Sequence, residues 1–169
     1  MNLKKLVTAA VCTMLMAAVA FTAGCGGEKK SDKKVLKVGM ECAYAPYNWS
    51  QTKADGGAVK IAGSNEYAYG YDVMMAKKLA DSMGADLEIH KIDWDGLAPA
   101  VVSGKIDAAI AGMSITSKRK ETVDFTKPYY YATVVALVKK DSEQAKAQSV
   151  ADLKGSVATS QLNTIWYDQ

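Results

Sequence analysis

The chain has 169 residues, 49% of them hydrophobic and 23% charged, enough for one full core or for one domain and the beginning of another. Pro is sparse, at 3 residues, and nothing in the composition marks the body as disordered. The formal charge of +3 includes Lys4 and Lys5 at the extreme N-terminus, so the remainder is close to neutral; this speaks against nucleic acid as a partner, which would need a clustered basic face.

Lys4 and Lys5 precede an apolar run over residues 6–21, interrupted only by Thr8 and Thr13, and then Thr22-Ala23-Gly24-Cys25. The run is short for a bilayer span and small residues follow it, which is the pattern of a signal peptide over residues 1–24. Ala23-Gly24-Cys25 resembles a bacterial lipobox, in which the cysteine is acylated and becomes the mature N-terminus; Thr22 stands where such boxes usually carry Leu. The resemblance implies lipidation at Cys25, the alternative being an ordinary signal peptide with an incidental cysteine. Two or more acyl chains anchor stably, since each buried methylene adds about 0.8 kcal/mol. Residues 25–34, polar and rich in Gly and Lys, then form a lipidated tether. With Cys12 in the leader and Cys25 acylated, Cys42 is left without a disulfide partner and reads as a packed thiol.

In chain order, residues 35–40 read as an opening strand. Residues 47–51 and 58–61 flank Lys53-Ala54-Asp55-Gly56-Gly57, and Asp-Gly between two short extended runs predicts a projecting hairpin. A helix follows over residues 72–83, with Val73, Ala76, Leu79, Ala80 and Met83 at helical spacing and Gly84 as its stop. A second strand is predicted over residues 86–92, with His90 exposed on it. Asp95 is placed to cap a short helix carrying Leu97, Val101 and Val102 and ending at Gly104. Residues 106–111 have the small, apolar character of a buried strand. Alternating strands and helices at these lengths argue an α/β unit with a parallel sheet. Beyond it come a short helix near residues 117–121, a long extended run over 132–140, a turn capped by Ser149 and ended by Gly155, and an extended piece over 157–161.

Several segments together resemble the polar amino acid solute-binding proteins of ABC transporters, the group of the histidine-, glutamine- and lysine/arginine/ornithine-binding proteins. They are Tyr44-Ala45-Pro46-Tyr47, Gly70-Tyr71-Asp72-Val73, Trp94-Asp95-Gly96-Leu97, Ser103-Gly104-Lys105-Ile106-Asp107, Ala111-Gly112-Met113-Ser114-Ile115-Thr116-Ser117-Lys118-Arg119, Val123-Asp124-Phe125-Thr126, Pro128-Tyr129-Tyr130 and Asp152-Leu153-Lys154-Gly155. Each is weak alone; their order and spacing carry the resemblance. It implies an α/β, type II periplasmic-binding-protein-like fold, a two-lobe clamshell with the ligand in the cleft. Lobe 1 would cover residues 35–131 and be nearly complete, and residues 132–169 would only begin lobe 2. The expectation is a truncated product or piece that binds more weakly than a full-length relative. The implied partners are a free amino acid, an ABC transporter permease and the membrane through the lipid anchor. The protein would be an extracytoplasmic monomer with no cofactor.

The same resemblance implies the site. A free amino acid presents a carboxylate, an ammonium and a variable side chain. Arg119 can grip the carboxylate with its planar fork, the plainer alternative being a surface salt bridge to Glu121 or Asp124. The Gly112 carbonyl and the Ser114 hydroxyl would accept from the ammonium. Tyr44 and Trp94 would sandwich the side chain, with core packing as the alternative, and Glu41 would meet a basic or amide-bearing end, a solvated strand-end Glu being the alternative. From lobe 2, Gln161 and Thr164 would meet the carboxylate, while Leu162 and Asn163 depart from the family's turn.

The sequence contains one histidine, His90, and no Cys-x-x-Cys, so no metal site is visible. No nucleophile–base pair is supported. The reading is therefore a binding module rather than an enzyme. The alternatives are a dehydratase of the cyclohexadienyl type on the same fold and a ligand-sensing input domain.

Overall fold

The computed structural model describes residues 33–167; the predicted signal peptide, Cys25 and the tether up to residue 32 lie outside the described residues. In chain order the elements are β1 (Val35–Met40), β2 (Ala43–Tyr44), β3 (Asn48–Gln51), β4 (Val59–Lys60), β5 (Tyr67–Tyr69), α1 (Tyr71–Met83), β6 (Asp86–Lys91), α2 (Leu97–Val102), β7 (Ala108–Ala109) and α3 (Ser117–Lys120). The alternation of strand and helix predicted from the sequence is present, and β1 has the predicted bounds.

β1 is the centre of a three-stranded parallel sheet of order β6-β1-β7. Val35 pairs with Asp86 at one end of β6 and Met40 with Lys91 at the other, while Val38 and Gly39 face Ala108 and Ala109. Leu36, Val38 and Met40 are buried, and Ile61, Val73, Ile89 and Leu97 close over them. Full burial of one such side chain contributes about 1.5–3 kcal/mol, so this cluster is the main source of cohesion. The chain leaves β1 toward β6 on one flank, then crosses to β7 on the other. That reversal places a crevice at the carboxyl ends of β1 and β7, where open α/β sheets bind ligands.

A second, antiparallel sheet has the order β2-β3-β5-β4. This corrects the predicted hairpin. The runs on either side of Asp55–Gly57 do not pair with each other, because β5 lies between them. Trp49 and Tyr69 meet edge to face, 5.0 Å between ring centroids, which seats β5 against β3. Residues on the far side of this sheet return to the core: Ile61 bridges to Ile89, and the Ala62 amide donates to the Ile89 carbonyl.

α1 runs one residue longer than expected at its start and ends at Gly84. Its buried stripe is Asp72, Val73, Ala76 and Ala80, whereas Leu79 and Met83 are exposed. Small residues at four-residue spacing let the helix lie close to the sheet, which turns the bulkier positions outward. Asp95 lies inside a single 3₁₀ turn, Trp94–Gly96, and does not cap α2. His90 is half-buried rather than exposed, with its Nε2 2.7 Å from the Glu88 carboxylate. Only Ala108–Ala109 of the predicted 106–111 strand is laddered. Residues 132–140 and 157–161 form no strand among the described residues, and Val135 and Leu137 are exposed. Past residue 140 the regular pieces are 3₁₀ turns, Glu143–Lys146 and Val150–Leu153, the second with the Ser149–Asp152 capping box that the sequence indicated at Ser149.

The loop at residues 44–47 is docked on the start of α1. The Tyr71 and Asp72 amides donate to the Pro46 and Tyr47 carbonyls. Gly70 makes that approach possible: its φ is 126°, and an added Cβ would stand 2.3 Å from the Tyr47 carbonyl oxygen. Gly70→Ala is expected to cost about 3 kcal/mol in urea unfolding; a loss within about 0.5 kcal/mol, as for an ordinary surface change, would show that the docking is not needed.

Candidate functional site

The crevice at the carboxyl ends of β1 and β7 is bordered by residues 41–44 on one side and 110–114 on the other, and both segments are held from beneath by one polar network. Asp72, in the first turn of α1, is fully buried. Its Oδ2 accepts from Asn48 Nδ2 at 2.7 Å and its Oδ1 from the Tyr129 hydroxyl at 2.8 Å. Asn48, also fully buried, accepts the Cys42 amide on its Oδ1 at 2.8 Å. The Tyr129 hydroxyl in turn accepts the Gly112 amide at 3.0 Å. Cys42 has φ 56° and Gly112 φ 64°, so two left-handed residues, one in each segment, hang from the same carboxylate.

Burial pushes the Asp72 carboxyl above its ordinary value of 3.8, while the bonds from Tyr129 and Asn48 oppose the rise. Burial beside Asp72 drives the Tyr129 phenol far above its ordinary range. Burial also lifts the Cys42 thiol to about 11, which keeps it a thiol at neutral pH, in keeping with a packed rather than a reactive cysteine.

Arg119 is at the third position of α3, whose N-cap is Thr116: the Thr116 hydroxyl accepts the Arg119 amide at 3.2 Å. Its guanidinium lies 5.3 Å from the centre of the Trp94 ring. Nη1 donates to the Ser114 carbonyl at 2.8 Å and Nη2 to the Asn163 carbonyl at 3.3 Å. The indole Nε1 of Trp94 donates to that same Asn163 carbonyl at 2.9 Å. Asn163 is held there by its own side chain, whose Nδ2 donates to Asp95 at 2.9 Å.

The residues singled out in the sequence therefore fall into linked groups. Arg119, Trp94 and Ser114 are in contact through the guanidinium. Tyr44 lies over Gly112, its ring 3.3 Å from where a Cβ on that glycine would be, and it stacks on Tyr47 at 5.0 Å. Glu41 accepts from Gln161 Nε2 at 3.0 Å. Thr164 is buried and its hydroxyl donates to the Gln161 carbonyl at 2.6 Å. An open cleft of about 480 Å³ borders Arg119 and is lined by Thr116, Lys118, Thr122 and Asn163 among others. Neither Tyr44 nor Trp94 lines that cleft.

Sequence reasoning missed Asp72, Asn48, Tyr129 and Asn163. Asp72 and Tyr129 stood inside the recognised segments, but as markers of family rather than as parts of the site. Asn163 acts through its carbonyl, which any residue carries; only its φ of 58° hints at a residue type, Asn being tolerant of that conformation.

Comparison with known proteins defines the class. Residues 36–163 match the model of the bacterial extracellular solute-binding proteins, family 3, and the chain belongs to that family. It is 35% identical over 136 residues to the arginine-binding extracellular protein ArtP of Bacillus subtilis, covering 80% of this chain and 47% of that one. It is 33% identical over 138 residues to the octopine-binding periplasmic protein of Rhizobium meliloti, covering 82% and 41%. Among solved structures, an ancestral arginine-binding protein bound to arginine is 37% identical, with 58% of this chain and 38% of that chain covered and a TM-score of 0.48. The chain spans about half the length of the curated relatives it matches, 47% and 41% of these two. By name the matched relatives are binding proteins, and membership agrees with the α/β, periplasmic-binding-protein-like class expected from the sequence.

The Asp72 shift fixes a pH dependence. With its folded pKa above 3.8, Asp72 in the unfolded chain ionises first as pH rises, so the stability it contributes is fully present below 3.8 and declines above it toward the raised value. Urea unfolding across this range is expected to show wild type losing ground relative to Asp72→Asn as pH rises from 3.8. A constant or growing advantage for wild type would contradict a carboxyl whose ionisation is penalised by burial.

Proposed function

We propose that this protein binds a polar amino acid outside the cytoplasm and delivers it to the permease of an ABC importer, as a monomer held to the membrane by acylated Cys25 and the tether that follows it. Arg119 carries the proposal. Its fork is fixed by the Ser114 carbonyl and the Trp94 face, and its Nη2 is spent on a neutral carbonyl, that of Asn163. A ligand carboxylate is a stronger acceptor than an amide carbonyl, because both partners of the bond are then charged. The ligand would take that place and displace Asn163.

In this reading the Gly112 carbonyl and Ser114 hydroxyl accept from the ammonium, and the rings of Tyr44 and Trp94 enclose the side chain. Gln161 and Thr164 approach from the 132–169 portion, and Glu41 meets the far end of the ligand. Glu41, Tyr44 and Trp94 together favour a ligand whose side chain ends in a cation or an amide. Arginine-binding names among the relatives support the same choice.

Net affinity of micromolar quality requires about 8 kcal/mol, and a charge-assisted bond supplies about 1.5–3 kcal/mol of it. Calorimetric titration with arginine, lysine and glutamine, carried to millimolar ligand, is expected to show binding that Arg119→Ala weakens by about tenfold or more. Equal affinity in the variant, or no heat with any of the three, would refute the assignment. For the anchor, expression in a bacterium with labelled fatty acid is expected to label the wild-type chain and to leave Cys25→Ser unlabelled and outside the membrane fraction. Label retained by the variant would remove Cys25 from the account.

A further inference from the structure

The network beneath the crevice has a direction. The Gly112 amide donates to the Tyr129 hydroxyl, and that hydroxyl donates to Asp72. A phenol that accepts one bond while donating another to a carboxylate is polarised by it, which strengthens both bonds. The phenol is itself held in place: its ring stacks on Tyr71, and the Tyr71 hydroxyl donates to the Tyr129 carbonyl at 3.1 Å. Asp72 is held by Asn48 on its other oxygen and is fully buried, so the anchor does not follow motions of the surface.

What hangs from this anchor is a residue whose backbone conformation few side chains could adopt. Gly112 is at φ 64°, and its Cα side is closed off by the Tyr44 ring. With the amide tied to Tyr129 and φ set, the Gly112 Cα is fixed in place and only the ψ rotation remains to set the direction of its carbonyl. The other arm ties the Cys42 amide, between Glu41 and Tyr44, to the same carboxylate through Asn48.

We infer that Tyr129 and Asp72 are positioning residues of the binding site: they hold the Gly112 backbone so that its carbonyl is aimed at the ligand's α-ammonium. This rests on the reading above that Gly112 accepts from that ammonium. Neither residue touches ligand. Their effect falls chiefly on recognition of the amine, because the Arg119 fork reaches that segment only through the Ser114 carbonyl and otherwise depends on α3 and Trp94.

The test compares arginine with its deaminated analogue, δ-guanidinovalerate, by calorimetry on the whole chain, wild type and Tyr129→Phe. The phenylalanine ring retains the stacking surface facing Tyr71 and removes only the hydroxyl. Wild type is expected to prefer arginine. Tyr129→Phe is expected to lose about five- to tenfold in affinity for arginine and little for the analogue, so that the preference shrinks. An equal loss for both ligands, the mark of a general structural effect, overturns the inference, and so does a full preference retained by the variant; in both cases the reading of Gly112 stands. A wild type that does not discriminate between the two ligands overturns that reading and the inference with it. Should Tyr129→Phe fail to fold, the Gly112 amide resonance of the unaltered protein gives the second measurement. It is expected to shift on adding arginine and to stay in place on adding the analogue, and a resonance that ignores both overturns the inference.

Discussion

A carboxylate sealed beneath a crevice is expensive, and the fold is arranged so that Asp72 is not left unpaired. An ionised group without partners in an apolar interior costs several kcal/mol after relaxation, so it persists only where hydrogen bonds meet it. Asn48 and Tyr129 supply those bonds from positions 24 and 57 residues away in sequence. The three side chains consequently tie β3, the start of α1 and the Pro128-Tyr129-Tyr130 segment to one point. Gly70 belongs to the same arrangement, because the loop of residues 44–47 can reach the α1 amides only over a residue with no Cβ.

From that point the two rims of the crevice follow. The strand order β6-β1-β7 sets where the rims lie, and the Asp72 network sets their backbone conformation at Cys42 and Gly112. Arg119 is organised by a four-residue helix with a Thr cap, an indole face and two backbone carbonyls, one of which, that of Ser114, belongs to the same rim as Gly112. In the apolar segment over residues 132–138, Val134, Val135 and Leu137 are exposed.

Much of this was legible in the sequence, for identifiable reasons. β1, α1 and β6 were found within a residue or so because their apolar residues (Leu36, Val38 and Met40; Val73, Ala76 and Ala80; Leu87 and Ile89) recur at strand or helix spacing, and such spacing is a local property. The proximity of Arg119, Ser114 and Trp94 was anticipated through family resemblance rather than through spacing. The failures are non-local. A strand 67–69 that inserts between β3 and β4 cannot be inferred from the Asp-Gly turn that joins them. An Asp in the first turn of a helix ordinarily reads as a partner of the helix dipole; only the arrival of Asn48 and Tyr129 makes Asp72 a buried hub. Leu162 and Asn163 looked like departures from the pattern, yet the Asn163 carbonyl receives both Trp94 and Arg119. Backbone acceptors leave no trace in residue identity.

The central claim is that the Arg119 guanidinium, now bonded to the Asn163 carbonyl, is the seat of a ligand carboxylate. A structure of this chain determined with arginine present tests it most directly. The account predicts the ligand's carboxylate at about 2.8 Å from the Arg119 Nη atoms, with the Asn163 carbonyl displaced and the ligand's amine facing Gly112. Arginine bound elsewhere, with Arg119 still on Asn163, would contradict it.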